Sequence, residues 1–155
     1  MQRAYRLAIA YFALFGILLM ASGSVLFFTK IGMSPDAIFL YYRGGENVIG
    51  KSAYGLLESA VPHLGAMGLF IMVTVHFLLF ASETAKRRAV RPAAVLFAAA
   101  LLDIAAGPMI AAGFGSWVWV KAAAFFVLIT LGTLFTLALL YYAFWHSWLP
   151  PRRPR

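Results

Sequence analysis

Four stretches of the chain, residues 7–28, 64–81, 93–114 and 118–145, are almost free of charge and run long enough to matter as units. A transmembrane helix needs roughly 20 mostly apolar residues, so each stretch is read as one span. Charged residues, most of the prolines and the remaining polar residues gather between and beyond these runs. The pattern predicts an all-α fold, an integral membrane four-helix bundle forming a single domain over residues 1–155. An even number of spans returns the chain to its starting side. The segment 29–62 and the tight turn at Gly115 and Ser116 then share the opposite side. Within that segment, Ser34-Pro35-Asp36 supplies an N-cap, a proline at the first helical position and an acid in the first turn. A short helix over residues 37–42 is expected, ended by Gly44-Gly45. Ser52 can cap a second helical stretch that runs into span two, with a kink or break near Pro62. Together these pieces would form a short helical lid.

Composition supports the membrane assignment. The chain is 63% hydrophobic and 12% charged, against roughly 25% charged in a soluble domain. Cysteine is absent, which excludes disulfides, Cys-ligated zinc, iron–sulfur clusters and covalent c-type haem on this chain. The net charge of +8 is concentrated. Arg3 and Arg6 precede the first span, Lys86, Arg87, Arg88 and Arg91 occupy an expected loop, and Arg152, Arg153 and Arg155 lie beyond the last span. By the positive-inside rule both termini and that loop are cytoplasmic and the lid lies on the outer side. Attraction to anionic lipid explains the charge without nucleic acid as a partner. The basic start and the small residues at 21–24 resemble a signal peptide, but the apolar run resumes at Val25, so an uncleaved first helix is expected. Phe39, Tyr41 and Tyr42, with Trp117 and Trp119, suit one headgroup zone. Tyr141, Tyr142, Trp145 and Trp148 suit the other.

Ionisable groups within a bilayer are costly, and each is a candidate site residue. His63 stands at the outer end of span two, His76 about 20 Å further along it, Asp103 near the middle of span three and Lys121 near the outer end of span four. With outer boundaries at Pro62, Gly113 and Trp117, Asp103, His76, Thr130 and Thr133 all fall about 15–24 Å deep. If their faces turn inward, Asp103 can accept a hydrogen bond from the His76 ring and fix its tautomer. The competing explanation is a buried polar pair that holds the helices in register.

Two histidines on one membrane helix also invite a haem interpretation. Thirteen residues apart, they lie about 140° from each other around the helix. Met109 lies near the expected depth of His63 and is a candidate sixth ligand there, whereas His76 has no comparable partner. A single haem, a haem shared with another subunit and a symmetric homodimer all remain open. A quinone site would need a histidine or carboxylate near a lipid-accessible pocket, and His63 beside the lid residues Glu58, Tyr41 and Arg43 offers one.

The strings GMSPDAIFLYYRG, LLESAVPHLGAMGLFIMVTVH and LLDIAAGPMI resemble a family of small four-span bacterial inner-membrane proteins associated with c-type cytochrome and respiratory electron-transfer systems. The resemblance covers most of the chain and implies roles for His63, His76 and Asp103. The family pattern opens helix two with His-x-His-Leu, and Val61 stands here in place of the first histidine, which removes one candidate ligand. The expected function is a membrane electron-transfer subunit that binds haem b or contacts quinone and exchanges electrons with a periplasmic c-type cytochrome. The alternative is an accessory or anchoring subunit of a larger complex. A proton relay through His76 and Asp103 is disfavoured by the absence of an inverted repeat.

Overall fold

The computed structural model describes residues 2–79 and 83–145. Helix α1 spans Gln2–Leu26 and continues as a π-helical turn, Phe27–Ile31. The lid helix α2 is Pro35–Arg43, followed by the two-residue strands β1, Gly44–Gly45, and β2, Val48–Ile49. The long helices α3, Ala53–Leu79, α4, Glu83–Ala111, and α5, Trp117–Trp145, complete the chain. Four helices are long and apolar enough to cross a membrane, over Arg3–Ile31, Ala53–Leu78, Lys86–Ala111 and Trp117–Trp145.

The local signals of the lid act as expected. The Ala37 amide donates to Ser34 Oγ at 3.1 Å, capping α2. Gly44 closes it with φ of +81°, a conformation side chains resist, and its amide donates to the Leu40 carbonyl. Gly44 and Gly45 then do more than stop a helix, because they pair antiparallel with Ile49 and Val48 in a small hairpin. At the next boundary the Gly55 amide donates to Ser52 Oγ at 3.1 Å.

Two boundaries differ from those expected. The second span begins at Ala53 rather than at residue 64, because α3 continues through Pro62 without a break. Proline removes one helical hydrogen bond, and the bonds on either side suffice to keep the helix running. The basic residues Lys86, Arg87, Arg88 and Arg91 belong to the first turns of α4 rather than to a loop. His146, Trp148 and the terminal arginines lie outside the described residues.

Helix α5 is central to the bundle, packing against α4, α1 and α3, while α4 also packs along α3. One core fills the half away from the lid, with Ile9, Phe70, Leu78, Leu96, Leu128 and Leu139 buried together. A second core lies beneath the lid, where Ile38 of α2 is buried with Phe27, Ala106, Ile110, Val118 and Phe125. The Phe27 and Phe125 rings stack there at 3.8 Å. Among the described residues, aromatic contacts join α1 and α3 in the half away from the lid, where Phe12 meets Phe70 at 5.9 Å and Tyr5 meets Phe77 at 5.6 Å. Toward the lid an open space lies between the two helices, bordered by Met20 and Gly23 of α1 and by Ala60 and His63 of α3.

Candidate functional site

The space between α1 and α3 is a cavity of about 490 Å³, bounded by α4 and α5 and by the lid. Its walls are mostly apolar, including Leu26 and Phe27 on one side and Leu56 and Met67 on the other. His63, Asp103, Lys121 and Tyr42 also border it. A large apolar pocket with a few convergent polar groups is the default binding site of such a protein.

The polar groups form one connected cluster. Lys121 Nζ lies 2.8 Å from Asp103 Oδ1, and both side chains are buried, with 9% and 7% of their surface exposed. The approach to Oδ1 is off the line of a good hydrogen bond, so that contact is ionic. The aligned hydrogen bond runs from Lys121 Nζ to the Asp103 backbone carbonyl at 3.0 Å. Asp103 Oδ2 lies 3.5 Å from Nε2 of His63, whose side chain remains 43% exposed. Lysine, carboxylate and histidine thus form a line from the α4–α5 interface to the cavity.

The lid completes the cluster from above. Lys121 Nζ sits 5.8 Å from the centre of the Tyr42 ring. The ring can lie this close to α4 because residue 107 is glycine, where a Cβ would come within 3.0 Å of Tyr42 Cε1. Burial raises the Tyr42 phenol above its ordinary pKa, an effect that the nearby Lys121 ammonium opposes. Arg43, the next residue, donates from Nη1 to the Ala111 carbonyl at 2.7 Å and so ties the lid to the end of α4.

The expected site residues are distributed differently. Asp103 does turn inward, but its histidine is His63 and not His76. Because α3 starts at Ala53, His63 lies ten residues in, about 15 Å deep. Asp103 lies eight residues from the end of α4, about 12 Å deep, and the two therefore meet. His76, about 20 Å further along α3, falls in its last turn, outside the cavity wall. Thr130 and Thr133 are exposed rather than inward-facing, whereas the buried threonines are Thr74 and Thr136. Each of these returns its hydroxyl to its own helix, to the Phe70 and Gly132 carbonyls. Glu58 is exposed, and neither it nor Met109 lines the cavity.

Lys121 as the partner of Asp103 was the main omission, and hairpin arithmetic contains the signal. The turn between α4 and α5 centres near residue 114, leaving Lys121 four residues closer to it than Asp103, about 6 Å. A lysine stem covers that offset. Tyr42, expected as a headgroup anchor, faces Lys121 instead.

Among the described residues no group of three or more His, Asp or Glu side chains is placed to hold a metal ion. A haem axial pair is also poorly served, since Nε2 of His63 faces a carboxylate and His76 lies about a 20 Å rise away.

The chain has no significant match among curated proteins or among solved structures. A family model for a transmembrane helical domain matches residues 32–152, which include the lid, the hairpin, three of the four spans and all four polar cluster residues. The chain is a multi-pass membrane protein and belongs to this family, Aq_1264_TM.

Proposed function

We propose that the chain is a membrane-embedded electron-transfer subunit whose cavity receives a quinone from the lipid phase. The observation that carries this reading is the half-exposed His63 at the wall of an apolar cavity between α1 and α3, with Asp103 behind it. A quinone has an isoprenoid tail suited to apolar walls and a head whose oxygens exchange protons. The Asp103 carboxylate beside Nε2 favours the Nε2–H tautomer and leaves Nδ1 as the proton acceptor. Lys121 Nζ, 2.8 Å from Asp103 Oδ1, holds the carboxylate in place beside His63. When a bound quinol is oxidised, one O–H bond breaks toward His63 Nδ1, the second proton leaves to water, and two electrons pass singly to a one-electron carrier protein. The return direction reverses each step. In this reading the carrier docks at the lid surface, and the membrane is the bacterial inner membrane with the basic ends of the helices cytoplasmic. Quinone is preferred to haem b because His63 presents its Nε2 to a carboxylate.

The test is equilibrium binding of a decyl-chain benzoquinone to the protein in lipid nanodiscs. Saturable binding is expected, weakened about tenfold in His63→Phe. Binding that is non-saturable, or unchanged in that variant, refutes the reading. A second reading, an accessory subunit without a ligand, is favoured by one observation: Lys121 and Asp103 satisfy each other and pin α4 to α5. It predicts no quinone binding and co-purification with a larger complex.

A further inference from the structure

A second cavity, of about 270 Å³, lies between α3, α4 and α5 at the end of the bundle away from the lid. Leu78 of α3 and Leu134 and Ala138 of α5 contribute apolar wall, and Arg88 and Tyr142 supply its polar border. Arg88 is exposed, in the first turns of α4, and Arg91 follows three residues later, about 60° away around the same helix. Lys86 and Arg87 adjoin them. Of the five acidic residues in the chain, only Glu83 belongs to this end, and none of the described residues that border the cavity is acidic. Pro92, also in the wall, has no N–H to give the Arg88 carbonyl, so that carbonyl lacks its usual helical donor.

An apolar slot inside a membrane span, opening on a guanidinium, matches an amphiphile with a hydrocarbon tail and a phosphate head. We infer that this cavity is a binding site for an anionic phospholipid, one acyl chain seated against Ala138 and Leu134 and the headgroup phosphate on Arg88. Arginine suits the phosphate because its fork can donate two parallel hydrogen bonds. Basic pockets between helices at the cytoplasmic face are the usual place for such headgroups. The site is independent of the quinone cavity at the lid end.

The test titrates the purified protein in detergent with phosphatidylglycerol, with phosphatidylcholine of the same acyl chains and with inorganic phosphate, reading bound lipid by native mass spectrometry and thermal stability. Phosphatidylglycerol is expected to bind at least about fivefold more tightly than phosphatidylcholine, and inorganic phosphate alone to leave the stability unchanged. Arg88→Gln should weaken phosphatidylglycerol about fivefold, while Arg3→Gln, the same charge loss on α1 away from the cavity, should not. Ala138→Leu, which fills the slot, should weaken both lipids. Equal affinity for the two lipids, stabilisation by phosphate alone, or equal weakening by Arg3→Gln and Arg88→Gln would overturn the inference. If Ala138→Leu does not fold, the comparison of the two arginine variants decides.

Discussion

Replacing Lys121 with methionine removes a charge while keeping an unbranched stem in the same space. The pair it breaks is 2.8 Å long, which gives a gross attraction of about 6 kcal/mol at an effective dielectric near 20. Most of that attraction offsets the cost of taking both charges out of water. What the variant exposes is the uncompensated term, because Asp103 stays 7% exposed with its lysine gone. Breaking a buried pair from one side costs about 3–5 kcal/mol. His63 cannot make up the loss, since it sits 3.5 Å away and is itself 43% exposed, so solvent screens it. Removing both charges, in Lys121→Met combined with Asp103→Leu, should return stability to within about 1 kcal/mol of the wild type. The assay is a double-mutant cycle on reversible unfolding in detergent, followed by loss of helicity. A coupling of at least about 2 kcal/mol is expected. Additive effects, or a single Lys121→Met variant within about 0.5 kcal/mol of the parent, would show that the charges do not meet in the folded protein.

Ile38 anchors the lid in the core beneath it and is 1% exposed, so Ile38→Ala should cost about 2–5 kcal/mol and speed proteolysis within residues 32–52. Gly107→Leu should act on the same element without touching its core residue, by pushing the Tyr42 ring off α4; accessibility of a cysteine placed at the partly buried lid residue Phe39 reports the displacement, and unchanged accessibility would contradict the packing. Because the folded Tyr42 phenol titrates above the unfolded one, its contribution to stability is complete below the ordinary tyrosine value and is lost as pH rises through the folded value. Tyr42→Phe should remove that alkaline loss, and the tyrosinate difference spectrum between the two proteins should show a late-titrating phenol. A periplasmic reporter joined after Arg155 should be silent and one inserted between Glu46 and Asn47 active; the opposite result would reverse the orientation drawn from the basic clusters.

Periodicity and capping made much of this architecture legible in the sequence. The four apolar runs identify the spans, and Ser34-Pro35-Asp36 and Ser52 mark helix starts that the structure keeps. Pro62 was the misleading residue. Taken as a boundary, it shortened span two by eleven residues at its outer end, made His63 appear superficial and placed His76 at the depth of Asp103. One misplaced boundary therefore reassigned the histidine of the site. The threonines failed for a different reason. Depth alone does not say which way a residue faces, and in helices whose apolar character is nearly uniform around the axis, facing cannot be read from pattern. The Lys121 pairing was accessible by counting across the α4–α5 hairpin, but the contact of Tyr42 with Lys121 needs the tertiary path of the lid and has no local signal.

Photolabelling with an azidoquinone in native-like membranes, followed by peptide mapping, is the most direct examination of the cavity's role. A ligand held between α1 and α3 beneath the lid should label peptides containing residues 19–31 or 55–67, and excess decyl-chain benzoquinone should suppress that labelling. Labelling that is spread over all four spans, or that persists under competition, would contradict a quinone site at His63.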